Sequence, residues 1–189
     1  MEPTKLTGKE FEEYCKISFE TDRSQVAEFD QWRNGVKASQ IGPNQVVTVK
    51  SLPDFSGLID NELFNYDAKA CSQASFALNK YHADKSNALQ RQMDFMLRTA
   101  KCGATSFFLI HFNKRELALK TIEAQTWAFP VHPEHPFWLR FFANDEKSIN
   151  LRHCDDYGFR AEWHIPKRCS RPRIKLAELI RDIRAERKL

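Results

Sequence analysis

Two acidic residues and one lysine are spaced in this sequence as metal-dependent hydrolysis of a phosphodiester requires. Asp54 follows Pro53, and further along the chain Asp67 and Lys69 form an acid-x-Lys triplet. Proteins hold Mg²⁺ through one or two carboxylates while the ion keeps several waters. An ion held in this way polarises a phosphate and lowers the pKa of a bound water. A lysine beside it can orient that water and stabilise negative charge, so the pattern favours nuclease chemistry.

The segments around these residues are predicted to form a strand hairpin. One strand is predicted over residues 54–59 and a second over residues 63–70, with a turn at 60–62. Side chains alternate along a strand, so Asp67 and Lys69 project from the same face. The pattern alone leaves a second interpretation open, in which Asp54 is a turn residue and Asp67 and Lys69 form a surface ion pair.

The other predicted elements indicate a mixed α/β fold built around one sheet. The first helix is predicted over residues 8–19, where Thr7 and Glu10 fit a capping box. In chain order, the remaining predictions are a strand at 46–49, a helix at 85–101, a strand at 105–112, its hairpin partner at 117–121 and a helix at 174–187. Residues 24–44 fit no element clearly. No linker or repeat divides the chain, so we expect a single domain over residues 1–189.

Composition is that of an ordinary globular protein. The chain has 189 residues, of which 42% are hydrophobic and 29% charged, enough for one domain with a real core. No apolar run is long enough to span a bilayer, and the first residues lack an apolar signal region. We therefore expect no membrane association and a cytoplasmic location; the family resemblance given below implies a bacterial cytoplasm or a phage-infected cell.

The cysteines, histidines and basic residues carry weaker signals. Five scattered cysteines predict no disulfide framework, and no Cys or His pair has zinc-finger spacing. Residues 166–189 contain nine Lys or Arg against three acids, and the net charge of the chain is +4. This basic C-terminal helix, at about residues 173–188, could contact phosphates or form a solvated surface, and charge alone leaves both open.

Several short motifs together resemble a known family. They are Gly8-Lys9-Glu10-Phe11-Glu12, Asp54-Phe55-Ser56-Gly57, Tyr66-Asp67-Ala68-Lys69, Ser75-Phe76-Ala77-Leu78 and the later Gln92. Their types and order resemble the PD-(D/E)xK nucleases, and among these most the RecU-type Holliday-junction resolvases. The resemblance covers roughly residues 7–112. It implies a restriction-endonuclease-like core, a central mixed β-sheet flanked by helices, with the catalytic core at about residues 7–121.

The resemblance also implies an activity and a site. It implies a Mg²⁺-dependent endonuclease, with Mn²⁺ as a substitute ion, that resolves four-way DNA junctions by paired cuts as a homodimer. The implied metal ligands are Asp54, Asp67, the Ala68 carbonyl and Glu12. The implied catalytic set is Asp54, Asp67, Lys69, Glu12 and Gln92, with Lys69 acting on the water and with Glu12 and Gln92 supporting the water or a second metal.

Two departures from the family pattern leave alternatives open. Asp67 stands where the family more often has Glu, and residues 24–44 do not clearly match the stalk that enters the junction centre. A restriction- or repair-type nuclease that cuts duplex DNA on the same fold is therefore a second hypothesis. A non-catalytic DNA-binding module is a third, although such a module has no need of the full set of two acids and a lysine.

Overall fold

The strands and helices follow each other in a mixed order along the chain. This computed structural model describes residues 2–24, 26, 29–33, 38–42, 45–48, 52–78, 88–143, 145–167 and 169–186. The helices are α1 (Gly8–Arg23), α2 (Ala88–Lys101), α3 (Pro136–Phe142), α4 (Leu151–Tyr157) and α5 (Leu176–Glu186). The strands are β1 (Phe29–Arg33), β2 (Ala38–Gly42), β3 (Gln45–Thr48), β4 (Phe55–Ile59), β5 (Glu62–Cys71), β6 (Ser75–Ala77), β7 (Thr105–Phe112), β8 (Arg115–Glu116), β9 (Thr121–Ile122), β10 (Gln125–Pro130), β11 (Ser148–Asn150), β12 (Phe159–Arg160), β13 (Trp163–His164) and β14 (Arg173–Ile174).

A six-stranded sheet in the order β1-β4-β5-β7-β10-β12 forms the centre of the protein. The pairing of β5 with β7 is parallel, and the other pairings in this sheet are antiparallel. A parallel pair needs a crossover connection, and α2 supplies it between β5 and β7. The four pairs β2–β3, β6–β11, β8–β9 and β13–β14 form small two-stranded sheets.

Helices cover both faces of the central sheet. Phe64, Tyr66 and Ala68 of β5 belong to one buried cluster, which includes apolar residues of α1 and α5. Cys71 of β5 belongs to a second cluster, with residues of α2, α3 and β7. Because side chains alternate along a strand, Asp67 and Lys69 share the α2 face with Cys71. The prediction of a mixed α/β fold with a central mixed sheet flanked by helices is confirmed.

Local sequence signals set the ends of α1. The backbone N–H of Glu10 donates to Thr7 Oγ1 at 3.3 Å, and the N–H of Thr7 donates to Glu10 Oε2 at 2.8 Å. This is the predicted capping box. The helix continues to Arg23 rather than ending near residue 19, because Phe19 and Asp22 are still buried against the rest of the protein.

The prediction that residues 117–121 pair with the strand at 105–112 is wrong. All eight residues of β7 are buried, so β7 needs a long neighbour on each side, and its neighbours are β5 and β10. Residues 115–122 instead form the small β8–β9 hairpin. Its tip is exposed, and Leu119 there is 99% exposed. The central sheet therefore continues past residue 121, to β10 and β12.

Residues 24–44, which fit no predicted element clearly, and an aromatic stretch at residues 127–142 both contribute to the fold. Residues 24–44 contain β1, which pairs with β4 at the edge of the central sheet, although part of this region lies outside the described residues. The aromatic stretch at 127–142 forms β10 and α3, and Phe129, Phe137, Trp138 and Phe141 are fully buried there. Within the described ranges, no helix combines the length and apolar character that a membrane span requires.

Candidate active site

A tight hairpin brings Asp54 and Asp67 together. The turn between β4 and β5 consists of Asp60 and Asn61, with φ of 50° and 61°. A two-residue turn with two left-handed residues matches the right-handed twist of paired strands and fixes their register. Phe55 lies opposite Tyr66 in that register. Asp54, one residue before β4, therefore lies opposite Asp67.

Four polar contacts join the acids and the lysine. The backbone N–H of Asp54 donates to Asp67 Oδ1 at 3.3 Å, and the N–H of Ala68 donates to Asp54 Oδ2 at 3.0 Å. Lys69 Nζ forms an ion pair with Asp67 Oδ2 and lies 3.8 Å from Asp54 Oδ2. The structure thus brings together Asp54, Asp67 and Lys69, as the sequence pattern predicted.

Asp54, Asp67 and Lys69 place three charged groups in a largely buried part of the protein. The side chain of Asp67 is fully buried, and burial raises its pKa to about 7; the charge of Lys69 opposes that rise and the charge of Asp54 adds to it. Burial disfavours the ammonium of Lys69, but Asp67 and Asp54 outweigh burial and raise the pKa of Lys69. Two carboxylates face one ammonium, so a further cation would balance the charge.

The oxygen atoms at this site fit a hard divalent cation. Asp67 Oδ2 is buried and, among the described residues, accepts no hydrogen bond of ordinary geometry besides its ion pair with Lys69. The N–H of Ala68 points to Asp54, and the C=O of a strand residue projects to the same side as its N–H. The Ala68 carbonyl therefore faces the acids. Carboxylate and carbonyl oxygens are the ligands that Mg²⁺ takes, together with waters.

Glu12 lies on α1 and not on the β4–β5 hairpin that carries the two acids, and its assignment as a metal ligand stays a prediction. The described residues include no group of three or more His, Cys, Asp or Glu side chains that could hold a metal ion. Glu12 lies partly buried on α1, and its charge is among those that raise the pKa of Lys69. It therefore acts on the site electrostatically, from the helix on the other face of the sheet.

Helix geometry predicts that Gln92 lies at the level of the acids along the sheet. It is buried on α2, which packs against β5 and β7. Asn65 Nδ2 of β5 donates to Thr99 Oγ1 of α2 at 3.2 Å, which fixes one point of contact. Gln92 is two turns before Thr99 on the same helix side, about 10.5 Å along the axis. Because α2 runs antiparallel to β5, that distance corresponds to about three strand residues beyond Asn65, at Asp67–Lys69.

Sequence reasoning missed the polar side chains next to the acids on the same face. Ser56 lies opposite Asn65, directly beside the Asp54–Asp67 position, and both side chains are buried. The sequence did contain a signal for this polar cluster. Asn65 lies two residues before Asp67 in the predicted strand, and its neighbours Phe64 and Tyr66 are aromatic. Polar residues at such positions need partners: Ser56 bonds to Asn65, and Asn65 bonds in turn to Thr99 on α2.

Two arginines of the basic C-terminal helix, Arg181 and Arg184, are bonded within the protein. Arg181 donates two hydrogen bonds to the Asp60 carboxylate, at 2.7 and 2.8 Å. Arg184 Nε lies 2.7 Å from Glu62 Oε2, and its Nη1 donates to the carbonyl of Ile59. The helix thereby holds the β4–β5 turn, so these two arginines are structural.

Comparison with known proteins gives one family. The family model described as recombination protein U, RecU, matches residues 33–180. That range includes Asp54, Asp67, Lys69 and Gln92 and excludes Glu12. No curated protein matches the chain. A structural comparison pairs it with Hjc from Archaeoglobus fulgidus, a Holliday junction resolvase from an archaeal hyperthermophile, at a TM-score of 0.45 and 15% identity, covering 92% of this chain and 99% of that chain.

Proposed function

Because the chain belongs to the RecU family of Holliday-junction resolving nucleases, we propose that it is a Mg²⁺-dependent endonuclease whose reaction centre is Asp54, Asp67 and Lys69. The observation that carries the assignment of the centre is their convergence at the end of the β4–β5 hairpin. In this proposal the enzyme resolves four-way DNA junctions by paired phosphodiester hydrolysis.

Asp54 and Asp67 would hold the ion, together with the Ala68 carbonyl. When bound, Mg²⁺ would polarise the scissile phosphate and lower the pKa of a bound water. Mn²⁺ accepts the same oxygen ligands, so we expect it to substitute. The backbone bonds between the two acids hold both carboxylates in position before an ion arrives, which keeps the reorganisation needed for ion binding small.

Lys69 is the residue that acts on the attacking water. Its ammonium is held between Asp67 and Asp54, and those neighbours raise its pKa, so it stays charged at neutral pH. A charged ammonium donates hydrogen bonds to the water and stabilises negative charge on the phosphate. The amide of Gln92, at the same level of the sheet, orients the water, and Glu12 adds negative potential from α1.

A homodimer fits the geometry of the proposed substrate. A four-way junction has approximate two-fold symmetry, and paired cuts on opposing strands require two equivalent sites. A closed two-fold dimer presents two copies of one site in that relation. We therefore propose that two copies of this chain act on one junction.

A nuclease that cuts duplex DNA on the same fold is the second candidate, because the site chemistry would be identical. A module that only binds DNA is less well supported. Burying the Asp67 carboxylate beside the partly buried Asp54 and Lys69 is costly, and DNA binding alone gives no reason for it.

Cleavage of two matched DNA substrates separates these functions. A four-way junction and a linear duplex of the same arm sequence would be incubated with the protein and Mg²⁺. We expect symmetric nicks on the junction alone, lost in Asp67→Asn and retained in Asp182→Asn, a change of an exposed acid on α5. Equal cutting of the duplex would favour the second candidate. Tight binding without cutting, in either Mg²⁺ or Mn²⁺, would favour the third.

A further inference from the structure

A chain of two hydrogen bonds, the first buried and the second partly buried, ties the catalytic hairpin to α2. Ser56 Oγ of β4 donates to Asn65 Oδ1 at 2.7 Å, and Asn65 Nδ2 donates to Thr99 Oγ1 at 3.2 Å. Ser56 and Asn65 are 4% and 1% exposed, so water does not compete for these groups. The chain begins next to Asp54 and Asp67 and ends on the helix that carries Gln92.

The direction of each hydrogen bond in this chain is fixed. Thr99 Oγ1 lies 3.0 and 3.1 Å from the carbonyls of Phe95 and Met96 in its own helix, so its proton points to them. Its lone pairs are left to accept from Asn65 and from Ser106, whose Oγ lies 3.3 Å away. These contacts favour the amide orientation of Asn65 that has its oxygen toward β4 and its nitrogen toward α2.

The apolar contacts of α2 with the sheet do not fix its position along β5 in the same way. Met93 and Met96 pack in the apolar cluster that contains Phe108 and Ile110 of β7. Methionine side chains adapt to small shifts, and apolar contacts have no direction. The Asn65–Thr99 hydrogen bond is directional and loses strength when its geometry changes.

We propose that Asn65 and Thr99 are positioning residues, which hold α2 at the axial position that places Gln92 beside Asp67 and Lys69. This inference rests on the proposed function, because it assigns the hydrogen bond a role in catalysis through Gln92. A misplacement of about 1 Å at a reacting centre can lower a rate by about a hundredfold. Loss of the bond should therefore reduce turnover far more than it reduces DNA binding.

Thr99→Val tests the proposal, because valine has the shape of threonine without the hydroxyl. We expect its single-turnover cleavage rate to fall by about 10- to 100-fold, while its Kd for a junction in Ca²⁺ stays unchanged. Thr99→Ser keeps the hydroxyl and should restore the rate. Ser106→Ala is the matched control, since it removes a neighbouring bond of Thr99 and leaves the Asn65–Thr99 bond in place; its rate should equal that of the wild type.

A double-mutant cycle with Gln92→Ala separates positioning from general damage. If Thr99 acts through Gln92, adding Thr99→Val to Gln92→Ala lowers the rate no further. A further tenfold fall in that background would overturn the proposal, and so would wild-type cleavage by Thr99→Val alone.

A spectroscopic measurement tests the positioning without cleavage. We expect the side-chain amide resonances of Gln92 to shift in Thr99→Val and to stay in place in Ser106→Ala. Unchanged resonances in both variants would overturn the positioning role. A wild-type protein that cuts no DNA, but whose Gln92 resonances respond as expected, would overturn only the proposed function.

Discussion

The carboxylate of Asp67 accepts a hydrogen bond from the backbone N–H of Asp54 at 3.3 Å. The side chain of Asp54 in turn accepts from the N–H of Ala68, next to Asp67, at 3.0 Å. Each acid is thus fixed by the backbone of the other acid's strand. The two residues that would bind metal also extend the pairing of β4 and β5 beyond its last strand pair.

Replacing Lys69 by Met should affect both catalysis and metal-dependent stability. The change leaves buried Asp67 without its ion-pair partner, and losing one stabilising charge at a reaction centre lowers a rate by about 10²- to 10³-fold. A bound Mg²⁺ would then supply the missing positive charge. We expect Mg²⁺ to raise the Tm of Lys69→Met more than it raises that of the wild type.

Calorimetry with and without Mg²⁺ measures this difference, and Lys101→Met, a change of an exposed lysine at the end of α2, is the control. An identical Mg²⁺ response in Lys69→Met and Lys101→Met would contradict a metal site beside Lys69.

Replacing Gly57 by Ala should destabilise the hairpin. A Cβ at Gly57 would lie 2.2 Å from the backbone oxygen of Asp30 and 2.3 Å from Cζ of Phe64. Overpacking of this kind costs about 1–3 kcal/mol, and more where backbone must move. Urea denaturation measures the loss. Gly8→Ala is the control, because nothing lies within 4 Å of its Cβ position; a Gly57→Ala protein as stable as Gly8→Ala would refute the close contact.

The carboxyl group of Asp22 should make stability depend on pH. Its Oδ2 accepts from the N–H of Ala177 in the first turn of α5 at 2.9 Å. Burial raises the pKa of Asp22, and hydrogen bonds from the backbone of Ala177 and Leu176 oppose that rise without cancelling it. The folded protein therefore holds this proton to higher pH than the unfolded chain, and stability from this group falls as pH rises through the folded pKa.

Asp22→Asn stays neutral and keeps an acceptor for α5. Its Tm relative to the wild type should therefore increase between about pH 3 and pH 6. Asp22→Ala loses the acceptor and should be less stable than Asp22→Asn by about 0.5–2 kcal/mol. Thermal melts across this pH range, with the exposed Glu20→Gln as reference, measure both effects. A difference between Asp22→Asn and wild type that stays constant with pH would contradict the raised pKa.

Arg181→Ala should leave the salt dependence of DNA binding unchanged. The guanidinium of Arg181 is already bonded to Asp60, so we expect it to neutralise no phosphate. The slope of log Kd against log salt concentration should equal that of the wild type. A slope smaller by about one unit would show that Arg181 contacts a phosphate. Because the pair is exposed, its loss should cost at most about 1 kcal/mol of stability.

The elements that carry their own local signal could be predicted from the sequence. The capping box at Thr7 and Glu10 starts α1, and the Asp60-Asn61 turn joins β4 and β5. The predicted hairpin placed Asp67 and Lys69 on one face and made their convergence with Asp54 one of two interpretations, which the family resemblance then favoured. The residue types of a two-residue turn and the alternation of side chains along a strand are short-range properties. They can therefore be recognised in a single sequence.

Long-range pairing could not be predicted in the same way. The neighbour of β7 is β10, because β7 is buried on both sides, and the nearer hairpin at β8–β9 is too exposed to cover it. The position of Glu12 depends on how α1 docks on the far face of the sheet, and no local pattern specifies that. The Asn65–Thr99 bond joins residues 34 positions apart, for which only the buried asparagine gave a signal.

The Arg181–Asp60 contact, through which α5 holds the β4–β5 turn, has a consequence for synthesis of the protein. Asp60 and Arg181 are 121 residues apart in the chain. At about 5–20 residues per second, a ribosome makes Arg181 about 6 to 24 s after Asp60. During that interval the nascent hairpin carries both acids without the helix that clasps its turn. The nuclease centre therefore reaches its final support late in translation, after most of the central sheet has been made.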